Sequence, residues 1–295
     1  MPTADPLGVR AACASVVERA QDVGLGPLEP LLGIVRDRPV PAWDARRHYS
    51  GPPERTRRYL LVLDTINFCF WTPGSGNRSA GGYWRLAERL RDAFAAGDEL
   101  SQPARLAEID AGRLRALVGD LPMLDERAAA LRELGRHGFE GLIQETAAGT
   151  ARTLSERLPS YADVAEYEGR PVPLLKRAQI LPADLHGAGV ARFPDLATLT
   201  CFPDYKLPQV LCHFGVLRYS ARLARRIDAR EELQAGEPAE VEIRAATVIA
   251  VERLREALAA QGRPLRSIEV DWILWDLGQS LELAHPHHRT RTVFY

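Results

Sequence analysis

The sequence predicts a mainly α-helical protein folded as a single compact helical domain over residues 1–295. Three observations carry that expectation. Ala/Arg/Leu-rich segments repeat their apolar residues at helical spacing along most of the chain. Two-residue strand alternation is scarce. Hydrophobic residues at 46% and charged residues at 26% give an ordinary globular composition, with enough apolar material to bury a real core.

Taken in order, residues 8–22 read as a first helix and residues 36–55, with four prolines, as an irregular connection. Residues 59–71 read as helix, and the glycine-rich stretch 72–82 as a lid or tight turn. That stretch contains Gly-x-Gly but follows no strand, so a dinucleotide-binding turn is a poor fit. Helical spacing continues over 84–96, 104–118, 124–136 and 139–158. Residues 180–196 look like a helix, a glycine turn and a second helix leading toward Asp204. The longest helix is expected over 239–260, with Glu240 and Glu242 in its first turn, where the helix dipole favours acids. It is apolar almost all round from Ala245 to Val251, as a buried helix is. Residues 268–283 form a further buried helix, and the basic tail 285–295 is expected to pack back onto the domain.

Composition narrows the function. A net charge of −1 lacks the basic surplus that a stable nucleic-acid complex requires, and favours a small-molecule substrate. No apolar run reaches membrane-spanning length and no secretory leader pattern opens the chain, so no membrane association and a cytoplasmic location are expected. The four cysteines show no CxxC pairing and read as reduced, mostly buried thiols. No metal is expected. The His-x-His of the tail has no clear carboxylate or cysteine to complete a ligand set. Lys176 and Lys206 are the only lysines.

Four constellations carry chemistry-bearing residues. In YLLVLDTINFCFW, Asp64, Asn67, Phe68 and Trp71 stand at i, i+3, i+4 and i+7, one face of a helix, which suits a flat heterocycle with hydrogen-bonding edges. The same stripe also fits a core helix whose polar residues bind a neighbouring loop. In LTCFPDYKLPQVL, Asp204 lies between Pro203 and Pro208, a rigid non-helical corner in apolar surroundings, with Phe202, Tyr205, Lys206 and Gln209 beside it. Desolvation there tends to raise a carboxylate pKa and suits base or electrostatic chemistry. An Asp204–Lys206 ion pair across the turn is the structural alternative. In VDWILWDLGQ, Asp271, Trp272, Trp275 and Asp276 fall within one helical band that could wall an aromatic or cationic ligand, or else pack as core. In EVEIRAATVIAVERL, Glu242 is either a first-turn acid favoured by the dipole alone or one that could reach a pocket from a fixed helix end, with Arg244 nearby on another face.

Together LDTINFCFW, KRAQILPADLHG, FPDYKLPQVL, EVEIRAATVIAVERL, VDWILWDLG and HHRTRTVFY, in that order from residue 59 to the C-terminus, resemble the queuosine salvage protein family. The first fifty residues match none of its motifs. The resemblance implies a helical fold related to helix-hairpin-helix DNA glycosylases. It also implies release of queuine from queuosine 5′-phosphate by hydrolysis of the N-glycosidic bond, with no metal or organic cofactor. Asp204 would stabilise the oxocarbenium-like state at C1′ and orient or deprotonate water. Asp64, Asp271 and Asn67 would read the guanine-like edge, and Phe68 and Trp272 would stack on the base. Glu242 and Asp276 would hold the cationic arm with its cyclopentenediol. Lys206, with Arg177 second, would take the 5′-phosphate, and Phe202 and Tyr205 would line the site. Carbon at position 7 removes the N7 protonation open to purines. A DNA or RNA base glycosylase and a non-catalytic queuine or nucleotide carrier are the alternative functions.

Overall fold

A computed structural model describes residues 4–72, 82–97 and 99–295. In chain order the helices are α1 Val9–Val17, α2 Glu29–Asp37, α3 Pro53–Thr65, α4 Gly82–Ala95, α5 Pro103–Leu106, α6 Ala111–Val118, α7 Leu124–His137 and α8 Ala147–Arg157. They continue with α9 Lys176–Gly187, α10 Lys206–His213, α11 Ala221–Asp228, α12 Pro238–Ala260 and α13 Ser267–Ser280. Strand structure among the described residues is confined to β1 Val23–Leu25, β2 Val164–Tyr167, β3 Arg170–Pro173 and β4 Leu217–Tyr219. The mainly helical expectation holds. No described helix is long and apolar enough to cross a membrane.

The chain divides into two compact units. The first comprises Met1–Pro41, Val164–Lys176 and Ala197–Arg291; the second comprises Ala42–Asp163, Arg177–Leu196 and Thr292–Tyr295.

In the first unit α12 is the central element. Val241, Ile243, Ala245, Ala246, Val248, Ala250 and Val251 are all fully buried, so the all-round apolar stretch is core as expected. Helices α1, α10 and α13 pack against it. Strands β1 and β4 pair antiparallel with Val23 opposite Tyr219, and β2 and β3 form a hairpin with Val164 opposite Pro173. The hairpin turns on Glu168 at φ 49° and Gly169 at φ 76°, the left-handed pair of a tight two-residue turn. These strands are three or four residues long, too short for alternation to stand out in the sequence.

In the second unit several expected helices end early, each for a visible reason. The 104–118 segment breaks into α5 and α6 because Asp110 turns extended and caps Arg113 N–H at 2.7 Å. The 139–158 segment is helical only from Ala147, where Thr146 caps Gly149 N–H. The second helix expected before Asp204 is absent: residues 188–199 contain only the 3₁₀ turn Leu196–Thr198. There Asp195 follows Pro194 and accepts the Ala147 and Ala148 N–H groups at 2.6 and 3.0 Å, capping α8 instead of continuing a helix. The stretch 73–81, which holds most of the expected glycine-rich loop, lies outside the described residues.

Candidate active site

The 199–211 segment lies in the first unit, and its geometry differs from an isolated corner. Helix α10 begins at Lys206, with Pro208 inside its first turn, where its missing N–H costs nothing. Asp204 Oδ1 accepts the backbone N–H of Lys206 at 2.6 Å and of Leu207 at 3.2 Å, capping that helix. Among the described residues no hydrogen bond or ion pair reaches Asp204 Oδ2. The carboxylate is half-buried, held by one oxygen and open at the other. The turn ion pair is not formed. Lys206 is 5% exposed and its Nζ donates to Gln209 Oε1 at 3.0 Å, while Gln209 Nε2 donates to the His285 carbonyl at 2.8 Å.

Two buried groups hold the loop before Asp204. Asp271, from the second turn of α13, accepts the Phe202 N–H at 2.7 Å. Arg244 of α12 donates to the Pro203 carbonyl at 3.0 Å and pairs with Glu240 at 3.6 Å. Phe202 and Tyr205 are buried at 6% exposure each, so they line the loop with little surface of their own. The structure thus brings Phe202, Asp204, Tyr205, Lys206 and Asp271 together. Trp272 and Trp275 are half-buried rather than sealed in the core. Asp276 is exposed and lies 3.5 Å from Arg38.

Glu242 stands apart from this cluster. Its Oε2 accepts Asp22 N–H at 2.7 Å and Val23 N–H at 3.1 Å; its Oε1 accepts Gln21 N–H at 3.1 Å and the Tyr167 hydroxyl at 2.8 Å. Four protein donors saturate the carboxylate and anchor β1 and β2 to α12, a structural task that leaves no oxygen for the cationic arm.

Asp64, Asn67 and Phe68 belong to the second unit, and the helical stripe expected of them does not form. Helix α3 ends at Thr65, so only Asp64 of the set is helical. Two buried arginines take over where the helix stops. Arg127 donates to the carbonyls of Ile66, Phe68 and Cys69; Arg177 donates to those of Asp64, Thr65 and Ser160. Phe68, fully buried, has the Arg127 guanidinium 4.5 Å and the Arg177 guanidinium 5.1 Å from its ring. That cation–π arrangement occupies Phe68, and its carbonyl contacts remove Arg177 as a phosphate ligand. Asp64 is fully buried and Asn67 is 6% exposed. A groove of about 450 Å³ in this unit, walled by Arg57, Arg58, Phe139, Gln144, Arg192 and Phe193, contains none of the expected site residues.

Two residues that contact the neighbours of Asp204 in the chain were not singled out from sequence. Arg244 was set aside as facing away, although an i, i+4 Glu240–Arg244 pair within an apolar helix signals a buried ion pair. His287 comes from the tail, which packs onto the first unit through a Leu233 N–H bond to the Arg289 carbonyl at 2.7 Å. Its ring lies 4.5 Å from that of Tyr205. Among the described residues no group of three or more His, Cys, Asp or Glu side chains could hold a metal ion.

A mainly helical scaffold thus presents a helix-capping carboxylate with one open oxygen, in the same turn as a buried lysine, as a candidate enzyme site. The sequence profile of the queuosine salvage protein family matches residues 47–295. The queuosine 5′-phosphate N-glycosylase/hydrolase of Sphaerobacter thermophilus is 43% identical over 99% of this chain and 98% of its own. Proteins of the same name from Dictyostelium discoideum and Bos taurus are 37% and 31% identical, over 85% and 87% of this chain and 82% and 87% of theirs. The chain belongs to the queuosine salvage protein family.

Proposed function

We propose that this protein hydrolyses the N-glycosidic bond of queuosine 5′-phosphate, releasing queuine for salvage into tRNA modification, with Asp204 as the central carboxylate. The observation that carries the activity is 43% identity, over essentially the whole chain, to a protein named for that reaction. The geometry around Asp204 supports its role. Oδ1 is fixed by two backbone N–H groups, so Oδ2 projects from a rigid mount with little reorganisation needed as charge develops.

As the C1′–N bond lengthens, positive charge gathers on C1′ and O4′, and Oδ2 stabilises it or takes a proton from the attacking water. Lys206, whose Nζ also donates to Gln209 Oε1, brings its positive charge to the 5′-phosphate. Trp272, whose indole is half-buried, stacks on the base in this reading, and the exposed Asp276 meets the cationic arm. The net charge of −1 fits a free nucleotide rather than a stable nucleic-acid complex, and the cytoplasm is the site of action that this role implies.

The test is incubation of the purified protein with queuosine 5′-phosphate and chromatographic detection of free queuine. Product in the presence of wild-type protein but not of D204N supports the reading. Tight binding with no product after prolonged incubation would make the protein a carrier instead.

A further inference from the structure

His287 is a side chain without an assigned task. It is 2% exposed, and its ring lies 4.5 Å from the Tyr205 ring at an interplanar angle of 33°. Tyr205 is the residue after Asp204, so the imidazole packs on the side chain next in sequence to that carboxylate. Its Nδ1 lies 2.7 Å from the His288 carbonyl, which can only accept, so Nδ1 carries the proton. Burial, together with the charges of Lys206, Arg289 and Arg230, lowers the His287 pKa to about 4, so the ring is neutral near pH 7. A neutral ring protonated on Nδ1 has a lone pair on Nε2. Among the described residues no hydrogen bond reaches that atom.

An acceptor atom with no protein partner, on a ring otherwise packed away, is open to a donor from outside the protein. We infer that His287 Nε2 accepts a hydrogen bond from a ribose hydroxyl of the nucleotide held at Asp204, making it a substrate-contacting residue of that site. This rests on the proposed function. The class of donor follows from the surroundings. A phosphate has no proton to give at neutral pH, and three nearby cations repel the ammonium of the substrate's arm. A neutral hydroxyl fits, and the ribose hydroxyls are those nearest C1′, where Asp204 acts.

The experiment compares queuosine 5′-phosphate with its 2′-deoxy and 3′-deoxy analogues on wild type, H287F and H287Q. With wild type, one analogue should lose roughly 10-fold in kcat/KM, the cost of one lost hydrogen bond to the substrate. H287F should lose a similar factor on the parent substrate and nothing further on that analogue. H287Q, whose amide oxygen reaches the place of Nε2, should recover most of the loss. If H287F penalises parent and analogues equally, or not at all, the inference is overturned while queuine release by wild type leaves the proposed function standing. If wild type releases no queuine, both fall.

A second readout needs no folded variant. In wild-type protein labelled with ¹⁵N-histidine, ribose 5-phosphate should shift the His287 Nε2 resonance in the direction of an accepted hydrogen bond. The analogue lacking the critical hydroxyl should not. Equal shifts, or none, overturn the inference.

Discussion

The Asp271 carboxylate accepts the Phe202 N–H at 2.7 Å, tying α13 to the loop two residues ahead of Asp204. Asp271 is 3% exposed, so the bond is made away from water, where an unmet N–H costs about 1–3 kcal/mol. Replacing Asp271 with Leu removes the acceptor and keeps apolar volume. Urea unfolding should show a loss in that range, and queuine release should fall with it, because the loop that mounts Asp204 is no longer fixed. Full stability with wild-type turnover would mean that the bond holds nothing in place.

Asp204 caps α10, and the proposed function gives it a second, separable task in the reaction. Asn keeps an oxygen for the cap but loses the charge; Ala loses both. D204N should therefore melt close to wild type, while its kcat falls by roughly 10²–10³, the scale of a lost electrostatic contact to the transition state. D204A should lose about 1 kcal/mol more in stability. Turnover by D204N near the wild-type value would remove Asp204 from the chemistry.

Gly278 sets the position of the Lys206 stem. A methyl group at Gly278 would stand 2.9 Å from Lys206 Cδ and 2.8 Å from Val210 Cγ2. Both contacts are closer than packing allows, so G278A must displace the lysine or separate α10 from α13, at about 1–3 kcal/mol. With Lys206 as the phosphate ligand, the Michaelis constant should rise for queuosine 5′-phosphate and change little for the unphosphorylated nucleoside. Equal changes for both would count against that role.

Acid should destabilise the fold through its buried histidines. Burial lowers the pKa of His48 and of His287 from 6.5 to about 4, and that of His288 to about 3. The unfolded chain takes up these protons near pH 6.5 and the folded chain only near pH 3–4, so unfolding binds protons between those values and stability falls as the pH drops. Each ring contributes a slope approaching about 1.4 kcal/mol per pH unit within its window. The urea midpoint measured from pH 7 to pH 4 should decline, and H287Q should flatten the curve. An equally steep decline in H287Q would show that His287 does not titrate as described.

How much of this was legible in sequence can be traced through single residues. Helix α12 was readable because its apolar run is long and continuous, and Pro238 and Gln261 bound it close to the expected ends. Asp204 was readable as a fixed acid from its flanking prolines, though the mounting differs: Pro208 sits inside a helix that Asp204 caps. The stripe from Asp64 to Trp71 was misleading because helical spacing continues in the sequence after the helix has stopped. Nothing local reveals Arg127 and Arg177 as the donors that allow α3 to end at Thr65.

The sequence by itself determined the helical class and the family, because these rest on periodicity and on ordered motifs, both of which are properties of the chain. Tertiary structure decided which polar residues are already spent. Glu242 is saturated by the backbone N–H groups of residues 21–23 and the Tyr167 hydroxyl, and Phe68 has two guanidiniums against its ring, while Asp204 keeps one oxygen open and His287 one nitrogen. A side chain's capacity to bind a ligand is what remains after its own fold has taken its share of hydrogen bonds. Those partners lie far away in the chain, 221 residues for Gln21 and Glu242.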